Sequence, residues 1–205
     1  LKERILIVDG AMGTALQDRN LTPDDFGGED LDGCNENLVR TRPDVIQEVH
    51  EEYLASGADI IESNTFGGAN FVLGEYGLED YVNEINTKAV ELARAACDKY
   101  STPEKPRFVA GAVGPTTKAL SVTGGISFDE LSFSFYEQSK ALTKAGADYL
   151  LLETALDTLN LKAAYIGILR AFDELKMEIG PSEIIIKKDV NKIGQFEINI
   201  ALHSE

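Results

Sequence analysis

Four short apolar runs, each followed by a helical pattern, limit what this chain can become more than any other feature. They cover residues 4–8, 58–62, 107–111 and 148–152. Runs this short and this continuously apolar read as strands buried on both faces, as in a parallel sheet. Between them, Pro43-Asp44 opens a helix that turns Val45, Ile46, Val49, Tyr53 and Leu54 to one side and stops at Gly57. A second helical pattern runs over 79–100, with Val82, Ile85, Ala89, Val90 and Ala93 inward. A third starts at Ser127 with Glu130 three residues on, a capping box, and ends at Gly146; a fourth covers 158–176.

The order β-α-β-α-β-α-β-α calls for a parallel sheet. Gly57-Ala58-Asp59 leads through a strand to Asn64-Thr65, and Gly146-Ala147-Asp148 leads to Glu153-Thr154 at the same offset. That echo puts Asn64 and Glu153 at equivalent strand ends, facing a shared mouth. Four βα units are half of a (βα)8 TIM barrel, and a doubly wound sheet can also use four or five strands. No G-x-G-x-x-G follows the first strand and no G-x-x-x-x-G-K-[ST] occurs, so the common phosphate loops are missing.

The pattern changes after Gly180-Pro181. Ile184-Ile185-Ile186 is followed by a polar bend, then by Phe196, Ile198, Ile200 and Leu202 alternating with Glu197, Asn199, Ala201 and His203. A period of two describes an antiparallel strand with one wet face. The expected fold is therefore α/β, with about four βα units over 1–180, as a partial (βα)8 barrel or a doubly wound sheet, then a β-rich tail over 181–205.

With 19 Lys+Arg against 35 Asp+Glu, the net charge of −16 argues against nucleic acid or an anionic membrane as partner. No stretch is apolar for long enough to span a bilayer, and LKER does not open a signal peptide. Cys34 and Cys97 make neither a disulfide framework nor a metal cluster; they read as reduced thiols of a cytoplasmic protein. His50, at the edge of its helix's apolar face, reads as a surface or satisfied histidine, and His203 as a surface one.

Asp9, Asn64, Thr65, Gly114-Pro115-Thr116, Glu153 and Thr154 all fall at or just after strand carboxyl ends. Carboxylates there suit an ammonium group. Gly10 and Ala11, small enough for close approach, suit a substrate carboxylate through their N–H groups. Together they suit an amino acid. Asp9 also suits a plain turn or helix cap, and Glu153 an ion pair at the mouth.

Four blocks carry a resemblance: LKERILIVDGAMGT, RPDVIQEVHEEYLASGADIIESNTFGG, RFVAGAVGPT and GADYLLLETALDT. In order, over residues 1 to about 180, they resemble the homocysteine S-methyltransferase domain, as in the amino-terminal module of cobalamin-dependent methionine synthases. The resemblance implies a (βα)8 barrel that transfers a methyl group to homocysteine, with the thiolate activated by zinc. It implies substrate-binding roles for Asp9, Gly10 and Ala11 in the first-strand loop, for Asn64 and Thr65 after the second strand, and for Glu153 as acid for the amine.

The same family holds zinc through a cysteine late in the barrel and an adjacent pair in a Gly-Gly-Cys-Cys-Gly motif. Neither is among these 205 residues. Zinc and cobalamin thus belong to the family, but no cofactor, metal ligand or catalytic residue is assigned to this chain, and methyl transfer by the polypeptide alone is not expected. Homocysteine remains the expected ligand. Self-association through open sheet edges is the expected assembly, and a separate chain carrying the zinc half is another way to complete the site. The tail does not resemble the family. Its close, KIGQFEINIALHSE, resembles part of a bacterial ribosomal protein, the ninth of the large subunit. That leaves open a chimeric or engineered half-barrel scaffold without natural activity.

Overall fold

The computed structural model describes residues 5–177, 184–186 and 198–201. In chain order the elements are α1 (Met12–Gln17), α2 (Pro23–Phe26), α3 (Leu38–Thr41), α4 (Pro43–Ser56), β1 (Ile60–Glu62), α5 (Asn70–Leu73), α6 (Val82–Tyr100), β2 (Phe108–Val113), α7 (Phe128–Lys144), β3 (Tyr149–Leu152), α8 (Thr158–Glu174), β4 (Ile184–Ile186) and β5 (Ile198–Ala201). β1, β2 and β3 form a parallel sheet, paired Ile61 to Val109 and Gly111 to Leu150. Beyond β3 the sheet turns antiparallel: β5 pairs with β3, Leu150 opposite Ile200, and β4 pairs with β5 at the edge. The antiparallel strand expected from the period-two pattern is present at Ile198–Ala201. Phe196, Leu202, His203 and most of 181–205 lie outside the described residues, as does Arg4.

Local chemistry explains the helix ends. α4 begins with Pro43, whose fixed φ suits the first helical position, and stops at Gly57, which takes φ 111°. α7 has the capping box expected from the sequence: Ser127 Oγ accepts from the Glu130 N–H at 3.2 Å, and Glu130 accepts from the Ser127 N–H at 2.8 Å. In α8 the Asp157 carboxylate accepts from the Leu159 N–H at 2.8 Å.

The core lies between the sheet and α6–α8. Ile61, Val109 and Leu150 from the strands meet Val90, Phe135, Leu142 and Ile168 from the helices. Burying each such side chain contributes roughly 1.5–3 kcal/mol. α7 and α8 approach closely at Gly167, where a Cβ would lie 2.5 Å from the Ser132 carbonyl oxygen. A second cluster, with Leu38, Ile46, Val49 and Ile85 at its centre, joins α1–α4 to α6.

The repeated Gly-Ala-Asp has a structural counterpart. Asp59 N–H donates to the Ile7 carbonyl at 2.7 Å while its carboxylate accepts from Ile7 N–H at 3.0 Å. Asp148 does the same to Val109, at 2.8 and 2.6 Å. Each aspartate thus locks the foot of the preceding segment to its own strand. Asn64 follows two residues after the end of β1 and Glu153 one residue after the end of β3.

Two expectations need correction. Residues 5–8 do not form a buried strand: Val8 makes a single parallel bridge to Ile60, and Ile5 and Ile7 are 86% and 59% exposed. Among the described residues, no strand covers the outer side of this segment. His50 is neither on the surface nor satisfied. It is fully buried on α4, and neither ring nitrogen has a hydrogen-bond partner among the described residues. Its place between Val49 and the i+4 partner Leu54 carries it under the apolar face rather than to its rim.

Candidate functional site

A cavity of about 460 Å³ opens at the carboxyl ends of the parallel strands. Asp9, Gly10, Ala11, Met12 and Gly13 form one wall; Glu62, Ser63, Asn64 and Phe66 form the next, continuing from β1. Ala112 of β2, Glu153 after β3, and Asn35 and Glu36 complete the lining. The structure therefore brings Asp9, Gly10, Ala11, Asn64 and Glu153 to one space.

Thr65 is different. Its hydroxyl donates to the Ala112 carbonyl at 2.7 Å and lies 2.7 Å from Ser63 Oγ. Since Thr65 has a single proton and spends it on Ala112, Ser63 must donate to Thr65. Ser63 Oγ in turn accepts from Ala112 N–H at 3.2 Å. This closed ring ties β1 to β2 behind the wall, and Thr65 does not line the cavity.

Asp9 is braced by main chain. Its N–H donates to the Ile60 carbonyl at 2.9 Å, and both carboxylate oxygens accept from Glu62 N–H at 3.1 Å. Behind the loop, Tyr53 Oη donates to the Ala11 carbonyl at 3.4 Å. Asn64 is held by its amide, which donates to the Asn35 carbonyl at 2.8 Å. Thr154, next to Glu153, has φ 54°, a left-handed conformation that costs a β-branched residue roughly 1–2 kcal/mol.

Among the described residues, the cavity lining holds no lysine, arginine or histidine. Its acids resist ionisation, chiefly because they are buried. Asp9 is pushed up to about 8, chiefly by burial and then by the Glu62 charge, against the hydrogen bond from Glu62 N–H. Glu62 is pushed up to about 7 by burial and then by Glu153. Burial also raises Glu153 and Glu36, the latter against a hydrogen bond from Gly67 N–H at 2.7 Å. A cationic group entering here would favour the charged form of the carboxylates it approaches. Glu62, Glu36 and Asn35 escape a reading based on strand ends alone. Glu62 was hidden as the last residue of an apolar run, where its side chain was assigned to the strand and not to the mouth.

A smaller cavity, about 210 Å³, adjoins Glu153 on its other side. It is largely apolar, with Val113, Pro115, Phe135, Leu152 and Leu161 in its wall. The loop over it is fastened by Asp157, which accepts from Ser121 N–H at 2.7 Å, and by Asn160, which accepts from Leu120 N–H at 3.0 Å.

The metal implied by the resemblance does not fit the donors present. Among the described residues, no three His, Cys, Asp or Glu side chains are grouped so as to hold an ion. Burial pushes the Cys34 and Cys97 thiols up to about 11 and about 12, so neither offers a thiolate at neutral pH. Among the described residues no helix is long and apolar enough to cross a membrane.

The family model for homocysteine S-methyltransferase matches residues 6–187. The chain belongs to the homocysteine S-methyltransferase family. That match extends past Gly180-Pro181, where the sequence pattern changes. The methionine synthase of Mycobacterium leprae is 41% identical over 174 residues, which are 85% of this chain and 14% of that protein. The homocysteine methyltransferase MmuM of Escherichia coli, in its metallated form, superposes with a TM-score of 0.69 at 26% identity. That superposition covers 84% of this chain and 61% of MmuM. The oxidized form gives the same TM-score at 27% identity, covering 84% and 60%. This homocysteine S-methyltransferase-type chain therefore spans less than two thirds of each of these relatives.

Proposed function

We propose that this chain supplies the amino-acid-binding wall of a homocysteine methyl-transfer site, within a partial (βα)8 barrel. What carries the reading is the convergence of Asp9, Gly10, Ala11, Asn64 and Glu153 on one cavity whose lining has acids and no base. The substrate ammonium sits against the carboxylates, and the methylene chain lies along Met12, Phe66 and Ala112. The substrate carboxylate faces the Gly10-Ala11 main chain, where no side chain blocks approach. Thr65 supports this wall from behind.

Zinc, the family's means of activating the thiol, has no fitting donor set among the described residues. The polypeptide by itself accordingly binds homocysteine as the thiol, a far weaker nucleophile than the thiolate, and does not transfer a methyl group. Isothermal titration with L-homocysteine tests the reading, comparing the parent chain with Glu153→Ala. Binding that weakens roughly tenfold or more in the variant, equivalent to about 1.4 kcal/mol, supports it. Equal binding by both sinks the assignment of Glu153.

One observation favours a second reading, a recombined or engineered half-barrel scaffold without natural activity. The sheet turns antiparallel directly after β3, where a barrel would continue parallel. On this reading no homocysteine binding is detected even at millimolar concentration.

A further inference from the structure

Asp9 and Glu62 differ in what their side chains are free to do. Asp9 has both carboxylate oxygens on the Glu62 N–H and its own N–H on Ile60. Its carboxylate acts as a bracket across the end of β1. Glu62 follows that bracket at the end of β1 and lines the cavity together with Asp9 and Glu153. Burial and the Glu153 charge alone raise it, and no hydrogen bond offsets them. A half-buried carboxylate held against a like charge, with no basic side chain among the described residues of the lining, lacks there the partner that would stabilise its charge. The charged groups facing it are Asp9 from the first segment, Glu153 and, from β3, Tyr149, whose phenol is raised in part by Glu62.

We propose that Glu62 is a second ammonium-binding carboxylate, paired with Glu153 and positioned by Asp9, and that it makes the site selective for thiols that carry an amine. This rests on the reading of the cavity as a homocysteine site and narrows it. The geometry assigns Asp9 a positioning role, through the backbone of Glu62, and gives the direct contact to Glu62. Two carboxylates converging on one cation explain why the lining contains no lysine or arginine to neutralise them. Such a base would compete with the ligand.

The selectivity is expected to be one-sided. A ligand without its amine leaves two crowded carboxylates unpaired and must share the cavity with them. A ligand without its carboxylate gives up only main-chain contacts. L-Homocysteine, its des-amino analogue 4-mercaptobutanoate and its decarboxylated analogue 3-aminopropane-1-thiol therefore serve as probes. The parent chain, Glu62→Gln and Glu62→Asp are titrated with each by calorimetry. Circular dichroism of each variant is recorded alongside.

The parent should bind homocysteine and the aminothiol at least tenfold more tightly than 4-mercaptobutanoate. E62Q should bind homocysteine roughly tenfold more weakly, by loss of one charge-assisted hydrogen bond, and bind 4-mercaptobutanoate no worse than the parent. E62D, which keeps the charge on a shorter arm, should recover part of the discrimination. A merely structural role for Glu62 would weaken all three ligands together and would leave E62D no better than E62Q. Unchanged homocysteine affinity in folded E62Q, or a parent that binds 4-mercaptobutanoate as tightly as homocysteine, overturns the assignment while the homocysteine site stands. Failure of the parent to bind homocysteine at all overturns both. If E62Q does not fold, the parent's ranking of the three ligands still decides the selectivity.

Discussion

His50 shows how a single buried side chain can set the acid limit of this fold. It is fully buried, neither nitrogen is paired, and burial alone pushes it down to about 4 from an ordinary 6.5. The folded state therefore refuses a proton that the unfolded chain accepts. The penalty is absent above pH 6.5, grows as pH falls from 6.5 to 4, and is complete below 4. Asp9 and Glu62, raised to about 8 and about 7, act in the opposite sense. Their protonated forms favour folding at low pH, and that contribution is lost as pH rises through those values. The two trends overlap, so the His50 contribution is read as a difference. His50→Leu, close in volume and without polar atoms, should be more stable than the parent by about 1–3 kcal/mol at neutral pH, since unpaired buried donors and acceptors carry about that cost. Urea unfolding at several pH values should show the difference widening from pH 6.5 towards 4. A pH-independent difference would mean that His50 titrates normally in the fold.

At the scale of elements, what could be read from sequence follows the physics of each segment. α4, α6, α7 and α8 were legible because each shows an apolar face at helical spacing and a recognisable start or stop. The short helices α1, α2, α3 and α5 were not, since four to six residues are too few for a periodic face. The strand at 4–8 was misread because apolar content alone does not bury a segment; a neighbour on each side does. That edge of the sheet now exposes Ile5, Ile7 and Val8 together, with main-chain groups that no described strand takes up. We propose that a second copy of the chain covers it, since an exposed apolar edge is a template for pairing. Light scattering after size exclusion should show mass rising above 22.3 kDa with concentration. Replacing Ile7 with Lys should return it to the monomer value. A monomer at every concentration removes the idea.

At the scale of the whole molecule, the site is a consequence of register. The Asp59 and Asp148 locks fix where each strand starts, and the strands then deliver Asn64 and Glu153 to one cavity. That much was visible in the Gly-Ala-Asp echo. The role of Glu62 was not, because whether a strand's last side chain faces the core or the mouth depends on the neighbouring strand's register. Thr65 was assigned to the mouth for the same reason and in fact closes a hydrogen-bonded ring behind it. The cavity bounded by the first segment, β1 and the end of β3 is the proposed homocysteine site. At 22.3 kDa the chain suits amide NMR, and a titration with L-homocysteine tests the claim directly. Shifts should concentrate at Asp9–Gly13, Glu62–Asn64, Ala112 and Glu153, with α8 beyond Ala164 unmoved. Shifts centred elsewhere, or none at saturating ligand, would contradict it.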